Sequence, residues 1–258
     1  MDHSPPAKLR NGRFRFDAKD AELDFGRQPD QNDPEKKTAE PTSSATEAVE
    51  RPDIARDRKR ETLIPDPAAT TAKDVWLTFD DGPNPESTPK VLAALSRANL
   101  KATFFMLGLN AEAQPRLVER VFDAGHRIGN HSYSHPHLTE LTEAEIREEI
   151  GRTDRLLAPY LGADKLFRPP YGHTNSLVQM VAAELGYREV RWTVDPRDWD
   201  KSYRPKKWMN FGISQMKALS SCVVLLHDIR PATSSNVAAF IAMIRQLAGA
   251  RFKAPSTL

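Results

Sequence analysis

From residue 74 onward the sequence alternates short apolar runs with helix-periodic segments, and this rhythm narrows the fold sharply. Asp74–Phe79 (DVWLTF) reads as a strand. Ser87-Thr88-Pro89 offers a helix cap with proline in the first turn, followed by Val91, Ala94, Leu95 and Ala98 on one face. Lys101–Met106 is strand-like. Gln114–Ala124 is helical, with Leu117, Val118, Val121 and Phe122 inward and Gly125 as a stop. Arg127–Asn130 is a short strand, and Thr142 with Glu145 forms a capping box for a helix through Leu157. Strands follow at Leu166–Arg168, Arg188–Val194, Cys222–Leu226 and Arg251–Lys253. Helices follow at Asn175–Leu185, Lys207–Leu219 and Asn236–Leu247. About seven βα units in a row predict an α/β fold with a parallel sheet, either doubly wound or closed as a barrel.

The polar residues favour the barrel. Asp80-Asp81-Gly82 ends the first strand, Asn130-His131 the third and Arg168 the fourth. Asp195 and Asp198-Trp199 follow the fifth, and His227-Asp228 ends the sixth. In a β/α barrel such ends converge on one rim, where active sites form. An open sheet would gather them only near a switch point.

Residues 1–73 differ. There 29 of 73 residues are charged, against 43 of the remaining 185, and the only aromatics are Phe14, Phe16 and Phe25. This Pro-rich segment is expected to be a largely disordered extension, with a short ordered piece around Arg13–Phe25. Residues 74–258 form the expected catalytic domain. The opening Met1-Asp2-His3-Ser4-Pro5-Pro6 has no apolar run before a small-residue cleavage site. If Met1 is the true start, the cytoplasm is expected; otherwise, the periplasm or secretion. A net charge of +2 gives no argument for nucleic acid as a partner. No run approaches the ~18 apolar residues of a membrane span. The lone Cys222 excludes an internal disulfide framework and a multi-cysteine metal site. Oligomeric state is not legible.

Two imidazoles and one carboxylate form a ligand set that leaves positions open for water and substrate. His131 and His135 supply the imidazoles, and Asp80 or Asp81 the carboxylate, the other aspartate serving as base. His227, across the rim, is the expected proton donor. An all-histidine set of His131, His135 and His137 is the alternative. His3, His126 and His173 have bland readings, as capping or filling residues.

Five motifs then carry a resemblance: Thr78-Phe79-Asp80-Asp81-Gly82, His131-Ser132-Tyr133-Ser134-His135, Arg168-Pro169-Pro170-Tyr171-Gly172, Asp195-Pro196-Arg197-Asp198-Trp199 and Leu225-Leu226-His227. Over residues 74–254 the chain resembles the polysaccharide deacetylases of carbohydrate esterase family four, the group that includes nodulation-factor chitooligosaccharide deacetylases. The resemblance implies a distorted (β/α)7-type barrel that hydrolyses N-acetyl groups on N-acetylglucosamine units. It implies Asp80 as base, and Asp81, His131 and His135 as ligands of a divalent metal, zinc first, with cobalt or another transition ion as alternatives. It further implies Arg168 as the partner of Asp80 and Asp198 as the tether of His227, the acid. Tyr171 is the implied oxyanion donor through its backbone N–H, and Trp199 and Leu225 are walls of the cleft. Asp195 matches without a role. The implied partner is an N-acetylated glycan of chitooligosaccharide or peptidoglycan type. The same barrel could instead serve as an O-acetyl esterase on acetylated xylan, or as a non-catalytic glycan-binding barrel, although the latter would be expected to lack Asp80 or His227 and this chain retains both.

Overall fold

The computed structural model describes residues 72–258. The expected extension, with its ordered piece at Arg13–Phe25, lies outside the described residues apart from its last two positions. Seven parallel strands appear among the described residues: β1 (Lys73–Asp80), β2 (Thr103–Met106), β3 (Arg127–Asn130), β4 (Lys165–Phe167), β5 (Tyr187–Glu189), β6 (Ser221–His227) and β7 (Ala250–Phe252). Helices α1 (Thr88–Ala98), α2 (Gly108–Ala113), α3 (Pro115–Asp123), α4 (Glu143–Leu157), α5 (Ser176–Glu184), α6 (Lys207–Met216) and α7 (Pro231–Arg245) alternate with them.

The strand order is β5-β4-β3-β2-β1-β6. β6 pairs with β1 from Asp74 to Asp80. On the other edge of β1, β2 takes Thr78–Asp80 and β7 takes Lys73–Val75. The chain leaving β5 then crosses from β4 to β6. Val190 donates to Phe167 O, and four residues later Val194 forms an isolated parallel bridge with Val224. One bridge thus links the two ends of the strand order, consistent with the expected distorted barrel. It also shortens the strand expected over Arg188–Val194 to three residues, because that segment changes partners midway.

Burial explains the elements. In β1, Val75, Leu77 and Phe79 are buried, and so are Thr78 and Asp80 on the opposite face. A strand covered on both faces needs parallel neighbours and helices around it. α4 starts as expected: Glu145 N donates to Thr142 Oγ1, and Thr142 N donates to Glu145 Oε2 at 2.8 Å. Thr142→Ala should therefore lower stability by about 0.5–2 kcal/mol, read as a shifted urea midpoint.

Some local expectations change. Ser87 makes no side-chain capping bond; Asn84 Oδ1 accepts from Glu86 N and Ser87 N instead. Phe122 is 44% exposed and meets the Tyr160 ring at 5.5 Å rather than entering the core. α7 begins at Pro231, five residues before Asn236, because Pro231 can occupy a first helical turn. α2 was not anticipated. It is six residues long and opens on Gly108, where a Cβ would lie 2.3 Å from Thr153 Oγ1. Gly212 in α6 has a similar cause, since a Cβ there would press on Pro196 and Phe240 at 3.0 Å. No described helix is long and apolar enough to cross a membrane.

Candidate active site

Strand register puts the polar residues on one rim. Asp80 of β1 lies opposite Phe105 of β2 and His227 of β6. His131 N donates to Met106 O, and Arg168 N donates to Asn130 O, so each follows its strand into the same edge. Below this rim a glycine is required in β3. A Cβ on Gly129 would sit 2.6 Å from the Phe105 ring and 3.0 Å from Leu166 O. The Phe105 ring in turn lies under the Arg168 guanidinium, 4.2 Å away.

Asp81, His131 and His135 each direct one ligand-type atom to a common point, with these atoms all within 4.8 Å of one another. Nε2 of each histidine is 3.5 Å from Asp81 Oδ1. That oxygen is buried and accepts no hydrogen bond from the protein. His131 Nδ1 is 2.7 Å from Arg168 O. A carbonyl only accepts, so Nδ1 carries the proton and Nε2 keeps a lone pair. Burial pushes the His135 imidazole down to about 4, although Asp81 pulls the other way. It is therefore neutral at pH 7, as a ligand must be. Burial alone would raise the Asp81 carboxyl, but the neighbouring imidazoles, His131 first, hold it well below the usual range. The donor set fits a divalent transition ion: one carboxylate and two imidazoles, with a buried oxygen that the protein leaves unsatisfied. His137 is not in this set. Its ring stacks on Tyr171 at 4.1 Å.

The two adjacent aspartates diverge because Asp81 adopts a left-handed backbone, φ 75°. Asp80 turns toward Arg168. Arg168 Nη1 donates to Asp80 Oδ1 at 2.8 Å and to Thr78 Oγ1 at 2.7 Å, and its Nε donates to Val190 O at 3.1 Å. Both partners are buried. The second oxygen, Asp80 Oδ2, faces the cluster at 3.7 Å from His131 Nε2.

Across the rim, His227 Nδ1 donates to Asp198 Oδ1 at 2.7 Å, and His227 N donates to Asp198 Oδ2 at 2.9 Å. Thr233 Oγ1 also donates to Asp198 Oδ2. Burial alone would lower the imidazole, but the fully buried Asp198 carboxylate outweighs it and pushes His227 up to about 9. This leaves His227 protonated at neutral pH.

Tyr171 lies in a left-handed turn, φ 58°, with its ring edge-on to His135 at 4.5 Å. Trp199 is half-buried, and its Nε1 donates to Asp195 Oδ1 at 3.3 Å. Leu225 is buried opposite Thr78, two residues before His227 and so on the same face of β6. Asp195 gains a place: Oδ1 also accepts from Arg197 N at 2.8 Å, holding the loop that presents Asp198. Sequence reasoning missed Thr78, Thr233 and the full burial of Asp228. Thr88 Oγ1 donates to Asp228 Oδ2, and that carboxyl packs so closely that a Cβ on Gly82 would lie 2.3 Å from it. Burial pushes Asp228 up to about 7. The glycine of Asp-Asp-Gly is there for this contact, while the turn's left-handed residue is Asp81.

A parallel β/α sheet with this rim defines an enzyme fold whose chemistry sits at the C-terminal strand ends. The polysaccharide deacetylase family matches residues 68–190. The peptidoglycan-N-acetylglucosamine deacetylase of Listeria monocytogenes is 39% identical over 176 residues, 66% of this chain and 36% of that protein. A peptidoglycan-N-acetylglucosamine deacetylase of Bacillus cereus is 34% identical over 194 residues, 72% of this chain and 88% of that protein. A chitooligosaccharide deacetylase of Bradyrhizobium is 37% identical over 164 residues, 62% of this chain and 72% of that protein. Among solved structures, a family 4 carbohydrate esterase from Streptomyces lividans in complex with acetate has 39% identity and a TM-score of 0.58, covering 66% of this chain and 88% of that one. A family pseudoenzyme from Bacillus anthracis has 28% identity and a TM-score of 0.63, covering 70% and 64%. The chain belongs to the polysaccharide deacetylase family. It spans about a third of the length of the Listeria relative.

Proposed function

We propose that the chain hydrolyses N-acetyl groups on N-acetylglucosamine units of a peptidoglycan- or chitooligosaccharide-type glycan, releasing acetate. The observation that carries this reading is the register match of Asp80 with His227 on adjacent strands, flanking the Asp81–His131–His135 cluster. Held there by Asp81, His131 and His135, a divalent ion, zinc first, would polarise the acetyl carbonyl and acidify a water.

Asp80 is the base. Arg168 fixes one of its oxygens by a hydrogen bond, and the other takes the proton of the attacking water. The water oxygen bonds to the acetyl carbon, and the backbone N–H of Tyr171 donates to the developing oxyanion. His227 protonates the amide nitrogen as the C–N bond breaks, leaving the sugar amine and acetate. Asp198 holds the imidazole in place and charged until that step. Trp199 and Leu225 wall the cleft around the sugar and the acetyl methyl.

The His227–Asp198 pair favours an amide over an ester as substrate. An amine leaves poorly unless protonated, whereas an ester alcohol needs less help. A glycan-binding barrel without catalysis would not need this pair or the Asp80–Arg168 pair; both are complete. The test is acetate release from chitooligosaccharides, peptidoglycan and acetylated xylan, with chelator-treated protein as control. Release from the two N-acetylated substrates, lost with the chelator and restored by zinc, is the expected result. Release from xylan alone would replace the reading with the O-acetyl esterase. Release from none of them would leave the glycan-binding barrel.

A further inference from the structure

The five residues His131–His135 belong to neither a strand nor a helix, and Ser132 and His135 both have left-handed backbones, φ 68° and 64°. Every backbone N–H from Ser132 to His135 is taken by a side chain. Ser132 N donates to Asn130 Oδ1 at 2.9 Å, and His135 N donates to Ser132 Oγ at 3.1 Å. Tyr133 N and Ser134 N both donate to Glu149 Oε2, at 2.9 and 2.8 Å. Ser134 Oγ donates to Glu149 Oε1 at 2.8 Å. Asn130 and Ser132 are neighbours in sequence and travel with the loop. Glu149 alone of these acceptors comes from a helix, fifteen or more residues away in sequence.

That element is a firm support. Glu149 sits on α4 between Ile146 and Ile150, both fully buried, and Asn130 Nδ2 donates to Ile150 O at 2.9 Å. The loop carbonyls are tied as well, with Gly108 N donating to Ser132 O and Leu109 N to Tyr133 O. The midpoint of the loop is therefore pinned by a charged acceptor, whose hydrogen bonds are among the stronger ones. The two imidazoles stand at either end of this pinned segment, with ring centroids 5.1 Å apart.

We propose that Glu149 is a positioning residue that sets the separation of His131 and His135, and thereby the affinity of the Asp81–His131–His135 cluster for a divalent ion. The proposal rests on the metal-site reading above and extends it to a residue that touches neither ion nor substrate. Removing the carboxylate leaves Tyr133 N and Ser134 N without their acceptor and lets the left-handed turns relax. The histidines then approach an ion from a wider spread of geometries.

The test measures Zn²⁺ dissociation constants for the full chain by competition with a chromophoric chelator, beside the thermal midpoint of the metal-free protein. Glu149→Ala should weaken zinc binding by ~10–100-fold, the range for groups that support metal ligands. Glu149→Gln should recover most of this, since its carbonyl accepts both N–H groups and its amide donates to Ser134 Oγ. Glu149→Asp keeps the charge but shortens the reach, and should fall in between; it serves where the alanine variant does not fold. Thr142→Ala, which weakens the same helix from its end, should lower the midpoint and leave the zinc constant unchanged. The proposal is overturned if Glu149→Ala and Glu149→Asp bind zinc as the wild type does. It is equally overturned if Thr142→Ala weakens zinc binding as much as they do. If His131→Ala retains wild-type zinc affinity, the metal-site reading itself fails and this proposal falls with it.

Discussion

Asp80→Asn should reduce deacetylation turnover by ~10²–10⁴-fold while leaving zinc stoichiometry intact, the span associated with loss of a general base. The ligand-type atoms belong to Asp81, His131 and His135, and Asp80 contributes none of them. Asparagine still offers Arg168 an oxygen at the position of Oδ1, so the protein should fold. It cannot take a proton from water at the position of Oδ2. Some stability should be lost as well, because the buried guanidinium no longer faces a charge, and breaking a buried pair is strongly destabilising. Turnover, bound zinc by elemental analysis and the thermal midpoint separate these effects. Loss of zinc together with activity would move Asp80 into the ligand set.

His227→Ala should be as damaging to amide hydrolysis and much milder toward an activated ester, whose leaving group departs without a proton. The measurement is the ratio of the two rates in the wild type and the variant. An unchanged ratio would remove His227 from the acid role. The pH profile tests the same assignment. The imidazole is raised to about 9 in the folded protein, so its proton is present below that pH and is lost as pH rises through it. Amide hydrolysis should therefore fall on the alkaline side near that value. Asp198→Asn removes the charge that holds the proton, which should shift this limb to lower pH with a smaller loss at the optimum. An alkaline limb that stays in place would mean that another group controls it.

Much of this site was legible because parallel β/α architecture sends every strand in the same direction. With Asp80, His131, Arg168 and His227 at the C-terminal ends of successive strands, a closed barrel brings them to one rim. The boundaries of β3 and α4 were legible too, since a capping box and a short apolar run are local signals. Where neighbours in space decided, the sequence misled. Phe122 fits the helical face by spacing but lies outside it, and the strand read over Arg188–Val194 breaks because its two ends pair with different strands. Spacing alone also fits a three-histidine set, whereas in the fold His137 stacks on Tyr171 and Asp81 joins His131 and His135.

By itself, then, the sequence determined the chemical types gathered at the rim and the order in which strands deliver them, because both follow from local periodicity and chain direction. Only the tertiary structure decided how those groups divide their work. The left-handed backbone of Asp81 sends one aspartate to the histidines and the other to Arg168. The buried pairing with Asp198 keeps His227 charged. Glu149, fifteen or more residues from the groups it holds, has no local signature at all. These outcomes depend on burial and on hydrogen bonds between distant segments, and neither is a property of any short stretch of chain.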